Sequence, residues 1–171
     1  MPRKPLANSK TVSTGVVRLP PSQQFFDTWT PRALAALRWV SGYLYLQHGT
    51  AKLLHVPHVP MFDQLPVLSL DGFAGMLEIP GSLLILLGLF TRPVALILSG
   101  EMAVAYFLVH ARQGHFFMPA LNQGELAVLY CFIFLFLAAA GGGSWSIDAL
   151  LARKRSGPPS AANSADLRPG Q

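Results

Sequence analysis

Charge is scarce in this chain. Of 171 residues only 12% are Asp, Glu, Lys or Arg, while 51% are hydrophobic; soluble domains carry about a quarter charged residues. Too little polar surface remains to cover a soluble globule of this size, and the apolar residues come in long blocks. Cysteine is nearly missing as well. Cys131, in "LYCFIFLF", stands alone, which excludes an intrachain disulfide. It has no CxxC partner and no neighbouring His, so it reads as a small apolar residue rather than a metal or redox group. The first 23 residues lack an apolar core of signal-peptide length.

The charge that is present sums to +5, and its placement argues against nucleic acid. Arg3, Lys4, Lys10, Arg18, Arg32, Arg153, Lys154 and Arg155 flank the apolar region and form no stripe within it. No nucleic-acid motif accompanies them. Basic flanks on an apolar core orient a protein in a lipid bilayer, which is the partner the composition implies.

The apolar blocks predict an all-α fold, an antiparallel four-helix transmembrane bundle with disordered N- and C-terminal tails. Each helix is near the roughly 20 residues needed to cross hydrocarbon. The expected spans are 31–54, 72–90, 93–110 and 124–141. Thr30 and Pro31 supply an N-cap and a first-turn proline, Asp71 and Asn122 are candidate caps for the second and fourth helices, and "AAAGGGSW" stops the fourth. The domain reading is therefore a mobile basic tail over 1–30, a helical domain over 31–148, and a basic tail rich in Pro, Ser and Ala over 149–171. The short link "TRP" makes the second and third helices a hairpin. Basic tails and Arg92 in that link, against a loop over 55–71 without Lys or Arg, place both termini in the cytoplasm of a multi-pass inner-membrane protein.

Polar residues inside these spans are the candidate functional groups. Counting about 1.5 Å per residue from the cytoplasmic end puts Arg38, Glu101 and Glu78 in the central slab. A lone charge there is costly, so Arg38 and Glu101 are expected to form a structural ion pair, leaving Glu78 free. Arg38, Ser41, Gly42, Tyr45, Gly49 and Lys52 share one face of the first helix, with His48 on its margin. A second, outer group gathers His48, Lys52, His110, Asn122 and Glu125, with Tyr106 on the His110 face. Snorkelling of Lys52 and polar capping by Asn122 and Glu125 are the bland alternatives. Two imidazoles and a carboxylate can ligate zinc or iron, but no HxxxH or ExxH spacing occurs, and no metal is assigned.

The stretches "RWVSGYLYLQHGTAKLL", "EIPGSLLILLGLFTRP", "EMAVAYFLVHARQGHFFMPALNQGELAVLY" and "GGGSWSID", over about residues 32–148, resemble the DoxX family of small bacterial membrane proteins. The third is the most specific, combining Glu101, His110, Asn122, Gly124 and Glu125 in order. The resemblance implies a four-helix inner-membrane protein. It also implies an association with quinone-linked sulfur oxidation, or with complexes that meet thiol oxidative stress. The absence of a further redox cysteine here argues against direct thiol exchange.

Three functions compete at this point. In the first, the chain is a membrane redox subunit binding a quinone or similar lipophile in its polar seam. Such a site needs protonatable groups beside the carbonyl oxygens within an apolar cleft, and His48, His110, Tyr106 and Glu78 are of that type. No haem, flavin or iron–sulfur motif is present, so a protein partner would exchange the electrons. In the second, it is a non-enzymatic scaffold or assembly subunit recruiting soluble partners. In the third, Lys52, Glu78 and Glu101 line a small-solute or proton pathway, although no internal repeat supports a transporter. A homo-oligomer is compatible with all three.

Overall fold

The computed structural model describes residues 20–155, which form five α-helices with no strand among the described residues. The helices are α1 (Pro21–Leu54), α2 (Leu70–Leu87), α3 (Thr91–Ala105), α4 (Glu125–Ala140) and α5 (Ile147–Arg155). α1 packs on α2, α2 on α3 and α3 on α4, with a smaller α1–α4 contact.

The exterior is apolar and the interior partly polar. Leu83, Leu87, Leu96, Ile97, Leu129, Phe132 and Phe136 are exposed, while Arg38, Glu78, Ser82, Thr91 and Asn122 are buried beside Ile85, Leu98, Phe134 and Leu137. That inversion suits a hydrocarbon surrounding. Among the described residues two helical stretches, Leu70–Leu87 and Thr91–Gln113, are long and apolar enough by themselves to cross a bilayer. α4 is apolar but has only 16 residues, and α1 interrupts its apolar face with Arg38, Gln47, His48 and Lys52.

Several expected boundaries move. α1 starts ten residues before Pro31, at Pro21, because Pro21 itself takes the first helical position. The helix then runs through Pro31, whose carbonyl receives the amide of Ser144. Residues 21–30 are therefore helical and not tail. At the other end, 149–155 belong to α5, started by Ser146 Oγ accepting the Ala149 amide. The remaining tail residues, 1–19 and 156–171, lie outside the described residues. Ser69, and not Asp71, caps α2 by accepting the Gly72 amide. α2 ends at Gly88 in the left-handed conformation, so the tight link is 88–90, and Thr91–Pro93 already form the first turn of α3. The third helix continues past Ala105 as one π-helical turn, Tyr106–His110.

α1 and α2 approach closely because Gly49 offers no side chain. A Cβ there would lie 2.9 Å from both Glu78 Cβ and Ile79 Cγ1. Gly75 on α2 likewise faces Leu53 and Lys52. The small residues thus bring the Lys52 stem against the Glu78 turn.

Candidate functional site

Three polar assemblies stand out among the described residues. The first ties the α2–α3 link to α1. Arg38, fully buried on α1, donates Nε to Gly142 O at 2.8 Å, Nη2 to Trp145 O at 2.7 Å, and Nη1 to the Ile85 and Leu86 carbonyls at the end of α2. Those carbonyls carry the negative end of the helix dipole. Asp148 completes the knot. Its carboxylate accepts the Phe90 and Thr91 amides at the start of α3, and its own amide donates to Gly88 O. Trp145 stacks on Trp39, with ring centroids 5.6 Å apart.

The expected Arg38–Glu101 ion pair therefore does not form. Glu101 lies level with Tyr45, which donates its hydroxyl to Glu101 Oε2 at 3.0 Å. Tyr45 is seven residues beyond Arg38, or about 10 Å along α1. Depth counted from residue ends is too coarse to separate two turns, and the "GGGSW" turn that wraps Arg38 is not a helix whose carbonyls periodicity reveals.

The second assembly is central. Lys52 Nζ lies 2.6 Å from Glu78 Oε1, and Glu78 is 1% exposed. Glu78, Glu101 and Lys52 are within electrostatic reach of one another. His48 is half-buried; its ring packs edge-on against Tyr130 at 5.9 Å and tilts toward Tyr45 at 6.2 Å. Two carboxylate oxygens here, Glu78 Oε2 and Glu101 Oε1, are buried without a partner. Between α2 and α3 a cavity of about 270 Å³ opens. Lys52 and Glu101 contribute to its wall, and the rest is mainly apolar, including Phe73, Leu77, Ile97, Met102 and Val104. Tyr45 lies on the polar face of α1 and is the partner of Glu101, a role its sequence context alone does not assign. The seven-residue spacing of Arg38, Tyr45 and Lys52 was the available signal.

The third assembly closes the α3–α4 loop. Tyr106 donates its hydroxyl to Phe116 O. Asn122 accepts the Gly124 amide at 2.9 Å and donates to the Tyr106 hydroxyl and to His115 O, both at 3.4 Å. His110 Nδ1 lies 3.1 Å from Asn122 O. A Cβ at Gly124 would sit 2.7 Å from the Tyr106 ring, so this close packing requires glycine.

The single outer group expected from sequence thus divides in two. Lys52 turns to Glu78 with His48 nearby, whereas Tyr106, His110 and Asn122 serve the loop. Glu125 is exposed and joins neither; it lines a separate cavity with Met118, Leu121, Leu126 and Phe132. Glu125 opens α4, and the first residue of a helix points wherever its turn directs it, so shared depth with His110 did not make contact.

Residues 33–111 match the DoxX family. An uncharacterized protein of Haemophilus influenzae is 42% identical over 134 residues, covering 71% of this chain and 92% of the relative. An uncharacterized membrane protein of Mycobacterium tuberculosis, Rv3486, is 27% identical over 139 residues, covering 72% of this chain and 84% of the relative. No solved structure matches the chain.

Proposed function

The chain belongs to the DoxX family of membrane proteins, and on that premise we propose that it crosses the inner membrane four times and binds a quinone or similar lipophile between α2 and α3. In this reading α1, α2, α3 with its π-turn, and α4 are the crossings. The basic flanks and Arg92 support cytoplasmic termini.

The observation that carries the ligand reading is Glu101. It lines an apolar cavity, spends one carboxylate oxygen on Tyr45, and keeps the other buried and unpaired. Such an orphan acceptor costs about 1–3 kcal/mol unless a donor reaches it. A quinol hydroxyl is such a donor once the Glu101 side chain turns toward the cavity, and Lys52, which lines the same wall while bound to Glu78, has further ammonium protons to donate to a quinone carbonyl. Phe73, Leu77, Ile97 and Val104 suit the ring and the start of an isoprenoid tail. The volume of about 270 Å³ is near the lower end of small-molecule sites. The chain's own residues bind the head group and exchange protons with it; a partner subunit exchanges the electrons.

Mass spectrometry of lipophiles retained by the full chain purified from native membranes tests this reading. A bound quinone in the wild type, lost from Glu101→Gln, is the expected result. Phospholipid alone in both proteins would overturn it. The scaffold alternative draws on the Arg38 and Asn122 assemblies, both of which hold backbone and leave no room for a ligand role.

A further inference from the structure

α5 has nine residues, fewer than the 12–15 or so that an isolated helix needs to be stable in water, and none of them is buried. Its start is nonetheless fixed. Ser146 caps it, and Asp148 bonds the Phe90 and Thr91 amides, which holds it at the base of α2 and α3. Ile147, Leu150, Leu151 and Lys154 recur at helical spacing on one face, and Leu150 and Leu151 are exposed. Arg153, Lys154 and Arg155 crowd the last turn, where they also complement the helix dipole. Beside it stands the stacked pair Trp39–Trp145, both rings about half exposed, of the residue type that settles at a headgroup boundary.

We propose that α5 lies in the membrane interface and that Arg153, Lys154 and Arg155 bind the headgroups of anionic phospholipid. Leu150 and Leu151 enter the acyl boundary, the Lys154 stem reaches back along them, and the three cations meet phosphate. Charge complementarity selects this occupant. Three adjacent cations beside an apolar face match a lipid surface carrying both negative phosphate and hydrocarbon, and each cation adds to the attraction. The proposal stands apart from the α2–α3 cavity and does not depend on what that cavity holds.

Native mass spectrometry of the full chain in detergent, titrated with phosphatidylglycerol or phosphatidylcholine, provides the test. The wild type should retain phosphatidylglycerol at least about tenfold better, and the Arg153→Gln/Lys154→Gln/Arg155→Gln variant should lose most of that preference. A second measurement uses a fluorophore on Leu151→Cys in a Cys131→Ser background, in phosphatidylglycerol vesicles containing nitroxide-labelled lipid. Quenching near the headgroup depth is expected. Equal retention of the two lipids, an unchanged preference in the triple variant, or a fluorophore that stays in water would each overturn the proposal. The last outcome would point to an acidic protein partner for the basic turn.

Discussion

Lys52 and Glu78 meet at 2.6 Å across the α1–α2 contact, and Glu78 is almost wholly buried there. The partnership is a consequence of Gly49 and Gly75, which let the two backbones approach until the Lys52 ammonium reaches the carboxylate. Removing one charge leaves the other buried and unpaired. Lys52→Met or Glu78→Leu should each cost about 3–5 kcal/mol of stability in detergent, and the Lys52→Met/Glu78→Leu double should recover part of the loss. A double-mutant cycle by reversible unfolding reads the coupling; strictly additive losses would contradict it.

The glycines separate by neighbourhood. At Gly49 a methyl group meets Glu78 and Ile79 at 2.9 Å, whereas at Gly100 nothing lies within 4 Å. Gly49→Ala should destabilise by about 1–3 kcal/mol through overpacking. Gly100→Ala, in the interior of α3, should be neutral or stabilise by up to about 1 kcal/mol. Melting temperatures of the two variants, measured side by side, check the contrast.

Arg38 and Glu101 act independently. Arg38 is satisfied by carbonyls of α2 and of the 142–145 segment, while Glu101 takes its one hydrogen bond from Tyr45. Arg38→Lys should be severely destabilising, because an ammonium cannot reproduce the planar fork that reaches four carbonyls. The Arg38→Lys and Glu101→Gln losses should add within about 0.5 kcal/mol. A coupling energy well above that would restore the direct pair.

Periodicity and composition made most of the helical core legible. The face carrying Arg38, Tyr45 and Lys52 is the inner face of α1, and Gly75, Glu78, Gly81 and Ser82 form the inner face of α2. What stayed hidden is three-dimensional choice among donors of similar depth. Arg38 chose backbone carbonyls exposed by a helix end and a glycine-rich turn, groups that carry no side-chain signature. Lys52 reaches down to Glu78 because Gly49 and Gly75 let α1 and α2 approach, a contact that depth alone does not reveal. Pro31 was misleading as a start signal because Pro21 supplies an earlier one of the same kind.

The proposed topology, four crossings with cytoplasmic termini, is open to a labelling test. In a Cys131→Ser background, a cysteine at Val67, in the exposed α1–α2 loop, should react with an impermeant maleimide added outside intact spheroplasts. A cysteine at Arg155 should react only after the membrane is opened. The reverse pattern would invert the protein.

The central claim is that Glu101 and Lys52 hold the head of a quinone-type lipophile in the α2–α3 cavity. Its most direct test is equilibrium binding of a short-chain benzoquinol to the purified chain, comparing wild type with Glu101→Gln and with Glu125→Gln as the exposed control. Removing the Glu101 charge-assisted acceptor should weaken binding at least about tenfold, with Glu125→Gln indistinguishable from wild type. A folded Glu101→Gln protein that binds the quinol as tightly as wild type, or a wild type that does not bind it, would contradict the account.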